Sequence, residues 1–167
     1  MQESIIRDSI FTAVLLVSLC PASAGRPRFS DQQIMAMTPH YFKRMQPVNS
    51  EGLQSQFLGA NIYHHPQRGK VFQVDIRVNR NKETQGLALA FSAMLNLSQY
   101  FAKGPELFVA VIHSTVRGTS PVICTGNAKC TADHYLHRRI TYEQWYKKCI
   151  AFEKSWTFGI APDGALP

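Results

Sequence analysis

The chain has 167 residues, with 18 Lys and Arg against 11 Asp and Glu, which gives a formal net charge of +7. Its hydrophobic fraction of 45% is that of an ordinary globular protein, so wholesale disorder and a collagen-like composition are excluded. Beyond the N-terminal region no apolar stretch reaches the ~18 residues of a transmembrane helix, which predicts that the protein is not an integral membrane protein.

The first residues have the pattern of a secretory signal peptide. The apolar run from Ile10 to Cys20 has the length of a signal-peptide hydrophobic region and is too short to cross a bilayer. Ala22 and Ala24 follow and place small side chains where a signal peptidase needs them. We therefore predict a signal peptide at residues 1–24 and a mature protein that is periplasmic or secreted. A buried N-terminal helix is the alternative interpretation.

The next part of the chain predicts a helical region and a β-hairpin. Ser30 and Gln33 form a capping-box pattern, and Pro39 interrupts the helical signal, which predicts one broken helix or two short ones over 30–46. Residues 57–63 and 71–78 are expected to be strands. Apolar and polar residues alternate in the second of these, which predicts one buried face and one wet face.

The pattern then becomes helical from about 83 to 103, where Gly and Pro end it. Residues 107–112 form a continuous apolar run, which is typical of a strand with both faces covered at the centre of a sheet. No regular pattern follows, so residues 114–140 are expected to form a long irregular loop.

A last helix is predicted from a second capping box, which begins at Thr141. A short strand could follow at 156–160. The order of elements predicts one α/β or α+β domain at 25–167, with a single three- to five-stranded sheet and helices packed on it. The last helix is expected to bury an apolar stripe, which consists of Tyr142, Trp145, Tyr146, Cys149 and Ile150.

The cysteines favour a disulfide in an oxidising compartment. Cys124 and Cys130 flank five residues that include Gly126 and Asn127, so the simplest expectation is a disulfide that closes this loop. Cys149 is then left as a buried filler, an intermolecular bridge or a reactive thiol.

A zinc site is a less favoured alternative for the same segment. Cys124, Cys130, His134 and His137 offer two thiolates and two imidazoles, but their spacing matches no strong zinc signature. We therefore predict no metal and no cofactor.

One further candidate contact lies at the end of the predicted central strand. His113 occupies that end and Arg117 follows it, so the two could contact a ligand or an anion in the crevice beyond the sheet. A strand-end His bonded to the backbone is the favoured alternative. No catalytic residue is predicted, because the chain carries no nucleophile elbow, P-loop or zinc-protease motif.

Three segments resemble the beginning of DsrE-like proteins. They are Gly69–Asp75, Leu87–Leu97 and Glu106–His113, within about residues 69–113. The resemblance implies a small α/β fold, frequent oligomers and, in some members, sulfur relay through a cysteine beyond the third strand. This sequence has Ser114 where the family commonly has Gly, and a cysteine loop in place of the family's strand and cysteine.

Two functions follow as expectations. The first is a non-catalytic binding or structural module of the cell envelope or secreted milieu, with a protein partner or a second copy of the chain. The alternative is a DsrE-like protein that handles thiols or sulfur. Nucleic acid is not an expected partner, because the aromatic residues fall in core patterns and not among the paired basic residues.

Overall fold

The computed structural model describes residues 28–45 and 55–153. The predicted signal peptide and the short strand predicted at 156–160 lie outside these described residues. Within them the elements are α1 (Asp31–Met45), β1 (Gln56–His65), β2 (Gly69–Val78), α2 (Glu83–Ser98), β3 (Leu107–Ser114), β4 (Val122–Asn127), α3 (Ala128–Tyr135), α4 (Tyr142–Cys149) and β5 (Ile150–Glu153).

The strands described form one mixed sheet in the order β1-β2-β3-β4-β5. Only β2 and β3 run parallel, and α2 forms the crossover between them; the other neighbouring pairs are antiparallel. The α/β prediction is therefore confirmed, at the upper end of its range of strand number. The apolar run that begins at Leu107 is the middle strand, as the sequence predicts.

The main core lies between one face of the sheet and the helices. Phe72, Val74 and Ile76 of β2 point into it with Phe108 of β3, and Phe91 of α2 packs on them. The opposite face carries a smaller buried cluster, which consists of Val71, Val109 and Val111.

The polar residues of β2 are less exposed to solvent than the alternation predicts. Gln73 is buried on the second face of the sheet. It accepts a hydrogen bond from the Tyr63 hydroxyl (3.2 Å) and donates one to Asp75 Oδ1 (2.8 Å). Because both ends of its amide are bonded, burial costs Gln73 little. Arg77 does lie exposed, so the prediction of a wet face is correct only at that end of the strand.

Helix α1 is continuous, so the prediction of a broken or divided helix is wrong. Its capping box forms: Ser30 N–H donates to Gln33 Oε1 at 2.9 Å, and Gln33 N–H donates to Ser30 Oγ at 3.3 Å. Pro39 lies inside the helix and is exposed. The buried side chains Ile34 and Phe42 hold the segments on either side of it on the core, which keeps the helix together across the proline.

Helix α2 ends at Ser98, earlier than predicted, because the residues that follow bond to another segment. Phe29 forms an isolated parallel bridge with Phe101. Phe29 N–H donates to Tyr100 O at 2.7 Å, and Ala102 N–H donates to Phe29 O at 3.1 Å. These bonds fix the chain after Tyr100 in an extended conformation that a helix cannot share.

The largest error of the sequence-based prediction is the irregular loop at 114–140. Residues 122–127 form β4, and residues 128–135 form α3. Gly126 and Asn127 therefore end a strand and do not make a turn. Asn127 then caps α3, since its side chain accepts a hydrogen bond from Cys130 N–H at 3.0 Å.

Candidate functional site

Helix α4 does not bury the whole stripe that the sequence predicts. Trp145 is fully buried and Cys149 nearly so, but Tyr142 and Tyr146 are 38% and 36% exposed. The capping box at Thr141 forms as predicted and fixes the start of the helix. The two tyrosines lie one turn apart on the solvent side of the buried residues. The prediction is therefore wrong for Tyr142 and Tyr146.

These tyrosines continue into an exposed phenylalanine. Phe152 on β5 is 52% exposed, the largest value among the exposed large apolar side chains of the described residues. The centroids of the Tyr142 and Tyr146 rings lie 6.0 Å apart, and those of Tyr146 and Phe152 lie 5.7 Å apart. We call Tyr142, Tyr146 and Phe152 the aromatic surface. The ring contacts restrict all three side chains before anything binds to them.

The aromatic surface is attached to a covalently fixed part of the fold. Cys130 of α3 is disulfide-bonded to Cys149 at the end of α4, with a Cα–Cα distance of 5.7 Å, which lies in the usual range. The predicted Cys124–Cys130 disulfide is therefore wrong. The chain between these two cysteines is extended as far as Asn127 in β4 and then enters α3, so Cys124 faces the core from the sheet while Cys130 lies on the helix.

The disulfide also changes what is expected of Cys149 and Cys124. Cys149 is oxidised, so the interpretation of Cys149 as a reactive thiol is wrong. Cys124 is the free cysteine of the described residues, and it is buried. Burial raises the pKa of the Cys124 thiol to about 12. At neutral pH this sulfur is protonated and a poor nucleophile.

A small pocket of about 90 Å³ adjoins the aromatic surface. Its floor is apolar and includes the Cys124 thiol, while two rings of the aromatic surface line its mouth with the first turn of α2. The lining residues are Glu83, Thr84, Leu87, Ile112, Val122, Cys124, Tyr146 and Phe152. The pocket lies at the helix-covered face of the sheet, between the beginning of α2 and residues of β3, β4 and β5.

His113 and Arg117 do not line this pocket. His113 is partly buried near the end of β3, and its strand neighbour in the sheet is Arg77. Arg117 lies exposed in the turn that follows β3. No described contact joins His113 to Arg117, so a shared anion contact stays a prediction.

The four residues of the alternative zinc site are not brought together. In the part of the chain that the structure describes, no group of three or more His, Cys, Asp or Glu side chains could hold a metal ion. Cys130 is in the disulfide, and His134 is used in packing. The His134 ring stacks on Trp145 with centroids 5.5 Å apart, and its Nδ1 lies 3.1 Å from Ile140 O.

Comparisons with protein-family models, with curated proteins and with solved structures give no match. Among residues 28–45 and 55–153, no helix is long and apolar enough to span a membrane.

Sequence reasoning missed the aromatic surface because apolar periodicity marks the tyrosines and the buried tryptophan alike. The length of α4 could have revealed it. A helix of eight residues has a narrow buried stripe, and since Trp145 and Cys149 already fill that stripe, Tyr142 and Tyr146 are left partly exposed.

Proposed function

We propose that this protein is an exported, disulfide-stabilised, non-catalytic binding module that recognises a protein partner through the aromatic surface. The observation that carries the proposal is the exposure of three large aromatic side chains, of which Tyr146 contacts the other two. Aromatic residues, and tyrosine in particular, are enriched in protein interfaces and at their energetic centres.

The arrangement differs from ordinary surface exposure of apolar groups. Single exposed apolar residues are normal and need no explanation, and Leu58, Val116 and Leu136 are of this kind. Tyr142, Tyr146 and Phe152 instead form one continuous patch. Their rings are held against one another, which lowers the conformational entropy lost on binding.

The surroundings of the patch favour a partner with acidic groups at its rim. Lys147 and Lys148 follow Tyr146 on α4, and both are exposed. No ion pair among the described residues involves either lysine. With a chain charge of +7, these ammonium groups would speed encounter with an acidic surface.

The disulfide supports the export part of the proposal. A disulfide persists in secreted and periplasmic proteins and is rare in the cytosol, where thiols are kept reduced. The Cys130–Cys149 pair fits an oxidising compartment, as does the predicted signal peptide at 1–24. N-terminal sequencing of the protein from its native host tests this part, and a chain that begins at Met1 would contradict it.

The partner-binding part is tested by pull-down from native extracts with three forms of the protein. The first is the wild type, the second is Tyr142→Ser/Tyr146→Ser/Phe152→Ser, and the third is the control Leu58→Ser/Val116→Ser/Leu136→Ser. We expect one protein retained by the wild type and the control and lost with the aromatic variant. Equal retention by all three forms would contradict a role of the aromatic surface.

A second candidate is the DsrE-like handling of thiols or sulfur. It is favoured by one observation: Cys124, on the strand after β3, lines the pocket. The raised pKa of this thiol opposes it, because sulfur relay needs a thiolate. A persulfide adduct on Cys124 in the intact mass of native protein would support this candidate, and its absence after incubation with a persulfide donor would contradict it.

A further inference from the structure

We infer that the pocket beside the aromatic surface binds an alkylammonium group carried on a short apolar stem. The inference deepens the proposed function, since the pocket shares Tyr146 and Phe152 with the aromatic surface. It rests on the charge and the shape of the lining, and it has its own test.

Among the described residues that line the pocket, the charged side chain is a carboxylate. Glu83 lines the pocket in the first turn of α2, and no Lys, Arg or His within residues 28–45 and 55–153 does. None of the ion pairs among the described residues involves Glu83. This carboxylate disfavours an anion and favours a cation.

Two aromatic rings give the pocket a second feature that cations prefer. Tyr146 and Phe152 both line it, and their ring centroids lie 5.7 Å apart at a tilt of 58°. The face of an aromatic ring carries partial negative charge, and ammonium groups flanked by such rings are a recurring recognition mode. The rings and the carboxylate together suit an ammonium head better than either alone.

The floor of the pocket determines which kind of group can be attached to the ammonium head. Leu87, Ile112 and Val122 are apolar, and the Cys124 thiol is protonated. A volume of about 90 Å³ has room for a short alkyl chain and not for a large ring system. This arrangement fits a free quaternary ammonium compound, whose stem can enter the apolar floor while its head stays near the rings and Glu83.

The test measures binding of three probes to the whole protein by NMR titration. The probes are butyltrimethylammonium, its neutral and water-soluble analogue N,N-dimethylpentanamide, and N-acetyl-lysine methylamide. We expect butyltrimethylammonium to bind and the neutral analogue to bind on the order of tenfold more weakly. The lysine probe should also bind more weakly than butyltrimethylammonium, because its ammonium would have to enter the apolar floor first.

Matched variants assign the binding to the pocket. Glu83→Gln should lower the affinity for the ammonium probe on the order of tenfold. Glu143→Gln removes the equivalent first-turn carboxylate of α4, outside the pocket, and should leave binding unchanged. Thermal unfolding checks that both variants fold.

Two results would overturn the inference: equal binding of the neutral analogue, or equal affinity of wild type and Glu83→Gln. Loss of the protein partner in Tyr142→Ser, a residue outside the pocket lining, reports on the proposed function alone. The two ideas can therefore fail separately.

Discussion

The two sides of helix α4 use aromatic residues for opposite purposes. On one side Trp145 is fully buried against Phe91, with ring centroids 5.5 Å apart, and its indole N–H donates to Thr131 Oγ1 at 3.3 Å. On the other side Tyr142 and Tyr146 meet solvent. Packing accounts for Trp145 completely, whereas Tyr142 covers Trp145 with its ring centroid 5.5 Å away and keeps more than a third of its surface exposed. The contrast separates residues that hold the fold from residues available to a partner.

The largest effect expected from this comparison is that of Trp145→Ala. Removing a fully buried indole leaves a cavity and deprives Thr131 Oγ1 of its donor, at a cost of about 3–5 kcal/mol of unfolding free energy. Tyr146→Ala should cost about 1–2 kcal/mol, less than Trp145→Ala, since 36% of its surface is already exposed. Urea denaturation of both variants measures the two values. Similar losses would contradict the division of α4 into a packing side and a binding side.

The disulfide should contribute nearly as much as the tryptophan. Cys130 and Cys149 are 19 residues apart, and a loop of that length is stabilised by about 3 kcal/mol in the chain-entropy account. The double variant Cys130→Ala/Cys149→Ala should lose that amount in urea denaturation of the oxidised proteins. Peptide mapping of the wild type supplies the control. A peptide that joins Cys124 to Cys130 would contradict the pairing.

A smaller loss is expected from Gly126→Ala at the end of β4. The added Cβ would lie against Phe91 Cε1 and 2.9 Å from Ile150 Cδ1, so the core must shift at a cost of about 1–3 kcal/mol. Gly59→Ala on β1 is the matched control, because an added Cβ there meets nothing within 4 Å. Thermal unfolding compares the two. Equal stability would show that the region beneath α4 is looser than described.

A difference confined to alkaline pH is expected from Cys124. Burial raises the pKa of this thiol from 9.0 to about 12, so the folded chain keeps a proton that the unfolded chain releases in that range. The stabilisation is complete below pH 9 and is lost as the pH rises toward 12. Wild type should therefore lose unfolding free energy more steeply than Cys124→Ala above pH 9. Parallel curves for the two proteins would mean that the thiol is accessible to solvent.

The parts of the fold that the sequence predicts well are those with a strong local pattern. The alternation in β2, the apolar run of β3 and the capping box of α4 each arise within one element. The β4–α3 region was missed because Pro121, Gly126 and a cysteine resemble loop composition. In the fold, β4 obtains its order from β3 and β5, which no local pattern contains.

The candidate site was less predictable because exposure and pairing are properties of the tertiary structure. Cys130 could be paired with either neighbouring cysteine by spacing alone, and the shorter loop was the simpler choice. Because the end of strand β4 and the start of α3 lie between Cys124 and Cys130, Cys130 pairs with Cys149 instead. Tyr146 and Phe152 belong to different elements, and their contact depends on the return of the chain from α4 into β5.

The most direct test of the central claim is site-specific photocrosslinking at the aromatic surface. Benzoylphenylalanine placed at Tyr146 should give an adduct of one defined mass with a protein of the native extract. The same probe at Asn61, an exposed position on β1, should give none. Equal yields at the two positions, or no adduct at Tyr146 from a folded protein, would contradict the assignment of this surface to partner binding.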